Sequence, residues 1–247
     1  MKLLENISYQ DGQHLDLYLP DTTQFDLFVY FHGGGLKSGH KADETAKLIA
    51  PFLAEHGVAV ASCNYRMYPD AKYPDFVCDA ASAVHWLSQH VGDYGKCERI
   101  FVGGSSAGGY LSMMLCFDGR WYAEKGDFPV PVCGYFHDAG QPTCHFNVLR
   151  ERGIDSRRVI IDDSAPLYHI GSAEEYPPMA FVVSDNDMKN RFEQTQLVLS
   201  TLRHFGYDQS KIFYHLMHGT HCAHGFAVDD AEDSVLGKMI LEFIEKA

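Results

Sequence analysis

A serine lies in a five-residue pattern that is typical of an enzymatic nucleophile. Residues 104–108 read Gly-Ser-Ser-Ala-Gly, which fits G-x-S-x-G with Ser106 at its centre and leaves Ser105 out of register. The apolar stretch Arg99–Val102 precedes the pattern and a segment rich in Leu and Met follows it, so we predict a tight turn from strand to helix. Such a turn exposes the Ser106 hydroxyl and places the Ala107 N–H at a helix N-terminus. An ordinary glycine-rich turn is the alternative interpretation.

A run of three glycines after His32 could form the other half of an active centre. Glycines let the backbone approach a ligand closely and direct several N–H groups to one point. We therefore predict an oxyanion hole made by the N–H groups of Gly34, Gly35 and Ala107. A flexible loop is the plain alternative, and a phosphate-binding loop is not supported because no Gly-Lys-Ser/Thr follows.

The segments around these motifs alternate between strand and helix patterns. Apolar runs or alternation predict strands at Leu15–Leu19, Phe25–Phe31, Val58–Cys63, Arg99–Val102, Pro131–Phe136, Met179–Val183 and Ile212–Met217. Helical spacing predicts helices from Asp43 to Gly57, over Asp75–Val91, after Gly108, and over Phe192–His204 and Asp230–Lys246, with Pro51 counting against the first of them. Together these elements predict an α/β fold with a mostly parallel sheet covered on both faces, with chemistry beyond the C-terminal strand ends.

The chain shows no repeat, low-complexity stretch or linker, so we predict a single domain over residues 1–247. One segment interrupts the alternation of elements. Between His137 and Leu167 lie a charged run and a short apolar patch without clear periodicity. A lid over about 138–166 and a solvated excursion with one short helix are equally good interpretations.

Charge and cysteine usage exclude several classes of partner. Lys plus Arg number 20 against 33 Asp plus Glu, which gives a net charge of −13 and a field that repels nucleic acid and anionic lipid. The seven cysteines are spread singly with no C-x-x-C pair, which indicates reduced thiols in a cytoplasmic protein. No apolar run is long enough to span a bilayer or to act as a signal peptide, so no membrane partner is expected.

The order of these motifs resembles that of carboxylesterases related to hormone-sensitive lipase, in the α/β-hydrolase superfamily. The elbow is similar to the family's G-D-S-A-G-G, with Ser105 in place of the usual Asp, and Ser184 replaces the first Gly of the family's acid loop. The first predicted strand begins close to residue 1, so we expect no long N-terminal cap of the kind that many relatives carry. Further similar stretches make the resemblance extend over nearly the whole chain: Leu15–Pro20, His32–Gly35, Asn64–Trp86, Pro177–Asp187 and His224–Phe226. The resemblance implies the α/β-hydrolase fold.

The resemblance also implies that an acid and a histidine follow the nucleophile in that order. Asp187 stands three residues after Ser184, where the family's G-x-x-D places its acid, and Asp185 is the alternative. Three histidines follow the last predicted strand, and at most one can be the base: His218, His221 and His224. Similarity to H-G-F selects the last of them. A short tether to the strand end favours His221, because the base must be held close to both serine and acid, and we predict His221.

The predicted activity is hydrolysis of short-chain acyl esters, including acetylated or feruloylated sugars, by a serine esterase. No cofactor is implied. A zinc site at the histidine cluster with Cys222 would need three or four convergent ligands, and we predict no metal. The predicted partner is a small-molecule ester, and a homodimer is compatible with the sequence. A peptidase, a thioesterase or a non-catalytic ligand-binding homologue on the same fold are the rivals.

Overall fold

Eight strands form one continuous sheet. A computed structural model describes all residues from 1 to 247. The strands are β1 (Lys2–Gln10), β2 (Gln13–Leu19), β3 (Gln24–Phe31), β4 (Val58–Cys63), β5 (Lys96–Ser105), β6 (Val132–Asp138), β7 (Met179–Asn186) and β8 (Ile212–Thr220). They lie in the order β1-β2-β4-β3-β5-β6-β7-β8. The pairings of β2 with β1 and with β4 are antiparallel and the other five are parallel, so the predicted mostly parallel sheet is confirmed.

Helices cover both faces of this sheet. They are α1 (Glu44–Glu55), α2 (Asp75–His90), α3 (Ala107–Phe117), α4 (Arg120–Ala123), α5 (Phe146–Glu151), α6 (Arg191–His204) and α7 (Val235–Lys246). Alternate side chains of β3 enter two separate cores. Leu27 packs with residues of α2, α3 and α6, whereas Phe28 packs with residues of α1 and α7. A strand buried on both sides reads as a continuous apolar run, which is why β3 and β4 are visible in the sequence.

Strands β1 and β8 and helix α7 differ from the sequence-based expectation, whereas α1 is confirmed despite its proline. Strand β1 was not predicted, because only Tyr9 of its residues is buried and its sequence therefore lacks an apolar pattern. Backbone pairing with β2 holds it in the sheet. Helix α1 continues through Pro51, because packing of its neighbours on the sheet outweighs the missing N–H. Strand β8 continues to Thr220 and so includes His218. Helix α7 begins only after the Ser234 cap, whose side chain accepts from the N–H of Gly237.

A buried ion pair anchors the loop that follows β3. The Lys41 ammonium lies 2.6 Å from a carboxylate oxygen of Asp16 on β2, and both side chains are buried. The Lys41 N–H also donates to the amide oxygen of Asn64 at 2.7 Å, and its carbonyl accepts from Ser62. These bonds fix the end of the loop that contains the three glycines.

None of the helices combines the length and apolarity needed to cross a bilayer.

Candidate active site

Ser106 occupies a strained turn between β5 and α3, as the motif predicts. Its backbone has φ 56 and ψ −107, a conformation that residues other than glycine rarely adopt. The flanking glycines are required because β3 passes close by. A Cβ atom at Gly108 would lie 1.8 Å from the carbonyl oxygen of Phe31, and one at Gly104 would lie 2.4 Å from the same atom. The Ser106 N–H donates to the carbonyl of Asp138 at 2.7 Å, which holds the turn against β6.

A histidine joins the serine to a carboxylate. The Nε2 atom of His221 lies 2.8 Å from the hydroxyl oxygen of Ser106, and its Nδ1 atom lies 2.5 Å from a carboxylate oxygen of Asp187. With the proton on Nδ1, the imidazole donates to Asp187 and Nε2 accepts from the serine hydroxyl. The structure therefore brings together the three residues chosen from the sequence, in an arrangement that can remove the serine proton.

The environment of Asp187 favours its charged form. Burial raises the pKa of the Asp187 carboxyl, but the hydrogen bond and charge of His221 lower it, and the net pKa falls below the usual value. The N–H groups of Met188 and Ser184 also donate to this carboxylate, at 2.7 Å and 3.3 Å. Three bonded groups thus fix the orientation of an acid whose side chain is only 1% exposed.

The other two histidines of this region contact different carboxylates. His218 is exposed, and its Nδ1 lies 2.7 Å from Asp185, whose second oxygen accepts from the N–H of Gly219 at 2.9 Å. His224 is buried, and its Nε2 lies 2.7 Å from Asp138. The three imidazoles therefore point to three separate partners and do not converge as ligands of one ion.

Asp138 is a site residue that the sequence analysis missed. It ends β6, its carbonyl accepts from the N–H of Ser106, and its carboxylate holds His224, three residues beyond His221. Burial lowers the pKa of His224 but the facing Asp138 carboxylate raises it, and the net pKa is raised. The signal available in the sequence was an acid at the C-terminal end of the strand next to the nucleophile strand.

The glycine run lies beside Ser106, but only its first two residues line the same cavity as the serine. Gly34 lines the same cavity as Ser106, and a Cβ there would lie 1.9 Å from the carbonyl oxygen of Ser38. Gly35 does not line that cavity. Its carbonyl accepts from the side-chain amide of Asn147 at 2.5 Å, and a Cβ on it would lie 3.1 Å from the Phe146 ring.

Packing under the glycine run keeps its backbone in place. The His32 ring stacks on Tyr65 with centroids 4.4 Å apart, and its Nδ1 lies 2.7 Å from the Gly33 carbonyl. Burial lowers the pKa of His32 to about 4, so this imidazole is neutral near pH 7 and its Nδ1–H donates to that carbonyl. The Tyr65 hydroxyl donates to the His32 carbonyl at 2.8 Å. Opposite the run, Ala107 begins α3, where helical N–H groups have no partner within the helix.

The cavity at Ser106 is small and open. It has a volume of about 270 Å³, and its lining includes Gly34, Ser106, His221 and the exposed ring of Phe226. The segment predicted as a lid reaches its neighbourhood through α5, whose Phe146 and Asn147 contact Gly35. The Ser106 hydroxyl and the His221 ring thus lie at one small space, and the Asp187 carboxylate lies behind the histidine.

Comparison with known proteins gives related sequences. Residues 15–128 match the family described as BD-FAE. LipM, a probable carboxylic ester hydrolase of Mycobacterium tuberculosis, is 32% identical over 218 residues, which cover 79% of this chain and 50% of that protein. A probable isoprenylcysteine alpha-carbonyl methylesterase of Arabidopsis thaliana is 33% identical over 106 residues, covering 42% of this chain and 22% of that protein. The chain spans half or less of the length of these curated relatives.

Solved structures resemble the chain over its whole length. A truncated carbohydrate esterase from gut microbiota has a TM-score of 0.78 at 18% identity and covers 100% of this chain and 96% of its own. An esterase of Thermogutta terrifontis has a TM-score of 0.73 at 22% identity, with coverages of 99% and 90%. At such identities the likeness establishes the fold alone.

The pair of His224 and Asp138 predicts a pH-dependent stability. Because the His224 pKa is raised above its usual 6.5, the pair stabilises the fold fully below that value and loses this contribution as pH rises through the folded pKa. The free energy of unfolding that His224→Gln removes should be larger at about pH 5.5 than at about pH 8.5, measured by urea unfolding. The exposed His204→Gln is the control and should show no such difference. An effect of His224→Gln that is equal at both pH values would contradict the account.

Proposed function

We propose that this chain is a serine carboxylic ester hydrolase of the α/β-hydrolase superfamily that acts on short-chain acyl esters. One observation carries the proposal. His221 bridges the hydroxyl of Ser106 and the carboxylate of Asp187 within hydrogen-bond distance on both sides. Relatives named as carboxylic ester hydrolases support the reaction class.

In the proposed reaction, the Ser106 oxygen attacks the ester carbonyl while His221 Nε2 takes the serine proton. Asp187 stabilises the imidazolium that forms. The tetrahedral intermediate collapses, the C–O bond to the alcohol breaks, and His221 returns the proton to the departing alcohol. Water, deprotonated by the same histidine, then attacks the acyl-enzyme and releases the carboxylic acid and free Ser106.

We assign the oxyanion hole to the N–H groups of Gly34, Gly35 and Ala107. The position of Gly34 beside Ser106 and that of Ala107 at the start of α3 support the assignment. The peptide that carries the Gly35 N–H is held through its Gly34 carbonyl, which accepts from the N–H groups of Lys37 and Ser38, both at 3.1 Å. Each donor of this kind supplies about 2.7–4 kcal/mol to the transition state.

The substrate class rests on the size and surroundings of the site. A cavity of about 270 Å³ suits a short acyl group. Acetylated or feruloylated sugars are the proposed natural substrates. We assign the role of a lid to the segment at about 138–166, since its helix α5 contacts the glycine run.

A cytoplasmic location fits the proposed enzyme. All seven cysteines are unpaired, including four that are buried and could not reach a partner without unfolding. Free thiols are typical of reducing compartments.

Replacement of the two adjacent serines tests the nucleophile. Ser106→Ala should lower kcat for nitrophenyl acetate by about 10⁶-fold, because no other group can form the acyl-enzyme. Ser105→Ala is the matched control, since its buried hydroxyl has no hydrogen-bond partner, and kcat should stay within about threefold of wild type. An active Ser106 variant with an inactive Ser105 variant would show that the register of the turn is wrong.

Replacement of the two histidines tests the base. His221→Gln should lower kcat by about 10⁶-fold, because the glutamine amide cannot take the serine proton. His224→Gln should keep kcat within about tenfold at a temperature where both variants are folded, since His224 contacts Asp138 rather than Ser106. Folding is checked by circular dichroism. Near-normal turnover by the His221 variant would overturn the assignment.

A series of nitrophenyl esters tests the acyl preference. Each methylene that remains in water forfeits about 0.8 kcal/mol of binding, so kcat/KM should be higher for acetate and butyrate than for decanoate. Steady-state rates are measured below the critical micelle concentration of each ester. A kcat/KM that rises steadily with chain length would contradict the proposal.

A further inference from the structure

A second cavity, of about 480 Å³, has a charge opposite to that of the whole chain. The chain carries a net charge of −13, yet no Asp or Glu lines this cavity. Its lining includes five basic residues: Arg150, Arg157, Arg158, Lys189 and Arg191. Like charges that share a concave surface raise its positive potential, and an anion that enters such a space lowers their mutual repulsion.

Three of these cations have no carboxylate partner. The side chains of Arg158 and Lys189 are exposed and make neither a salt bridge nor a hydrogen bond. Arg150 donates to the neutral amide oxygen of Asn147 at 2.8 Å and lies over the Phe146 ring, 5.1 Å from its centroid.

The remaining two basic residues are already satisfied. Arg157 forms an exposed pair with Asp155 at 2.5 Å. Arg191 is buried and donates to the carbonyl of Ala139. The unpaired charge of the cavity is therefore that of Arg150, Arg158 and Lys189.

The cavity adjoins the proposed active site on two sides. One wall is α5 and the chain that follows it, and Asn147 of α5 binds Gly35 of the glycine run while Phe146 packs on the same glycine. The other wall begins at Met188, whose N–H donates to the carboxylate of Asp187. A molecule seated here would lie between the lid segment and the loop that carries Asp187.

We propose that this cavity binds a carboxylate carried by the ester substrate, so that the enzyme prefers anionic esters to neutral ones of the same shape. The proposal rests on the proposed function, which it deepens. Guanidinium groups bind carboxylates through two parallel hydrogen bonds, and Lys189 adds an ammonium donor to the same space. A neutral sugar or a long alkyl chain would leave these cations without a partner, so within the proposed class of sugar esters the site favours an acidic sugar over a neutral one.

Matched esters test the preference for a carboxylate on the acyl side and on the alcohol side of the ester bond. Monomethyl glutarate is compared with its neutral carboxamide analogue, and 3-acetoxybenzoate with 3-acetoxybenzamide. At low salt, kcat/KM for the acid in at least one pair should exceed that for the amide by about tenfold, mainly through KM, and 0.5 M NaCl should reduce the ratio.

The cavity is then tested with a charge-matched pair of variants. Arg158→Gln/Lys189→Gln should lower that acid-to-amide ratio by about tenfold and leave amide hydrolysis within about twofold of wild type. Lys2→Gln/Arg203→Gln removes two exposed charges elsewhere and should leave the ratio unchanged.

The outcomes separate this inference from the function on which it rests. Hydrolysis of the amide esters with no acid preference, or with a preference that both double variants lower equally, would overturn the anionic site alone. Failure of the wild-type enzyme to hydrolyse any of the four esters would count against the esterase itself and remove the inference with it.

Discussion

The close approach of two backbone segments is the constraint on which this site depends. The first turn of α3 passes so near the end of β3 that a methyl group at Gly108 would penetrate the carbonyl of Phe31. That approach places the serine turn beside the glycine run, which continues directly from β3. It also forces Ser106 into a backbone conformation that it would not adopt alone, and the Asp138 carbonyl compensates by accepting its N–H.

Three pairs of histidine and aspartate surround this turn, and their surroundings give them different properties. The pair of His218 and Asp185 is exposed, so solvent screens it and it contributes little to stability. The buried pair of His224 and Asp138 links β6 to the chain just after His221. In the third pair Asp187 is buried and His221 is partly exposed, with its ring facing the Ser106 hydroxyl. This arrangement suits the proposed role of His221, which must exchange protons with a substrate.

The sequence predicts the parallel core and the residues around Ser106 because both rest on local patterns. Apolar runs reveal β3 and β4, and the glycine spacing reveals the turn. Strand β1 escapes prediction because only one of its side chains is buried, so its sequence lacks an apolar pattern. The similarity to H-G-F pointed to His224, because a short motif does not show where β8 ends. The strand ends at Thr220, so the next residue, His221, is the histidine that meets Ser106. Asp138 was missed because its partner lies 86 positions away in the chain.

Covalent labelling tests the central claim, that Ser106 is a nucleophile activated by His221. The native protein is treated with a fluorophosphonate, and the adduct is located by intact-mass measurement and peptide mapping. The account predicts one adduct per chain, on Ser106, that is absent in Ser106→Ala and forms far more slowly in His221→Gln. An unlabelled wild-type protein, or an adduct that persists in Ser106→Ala, would contradict it.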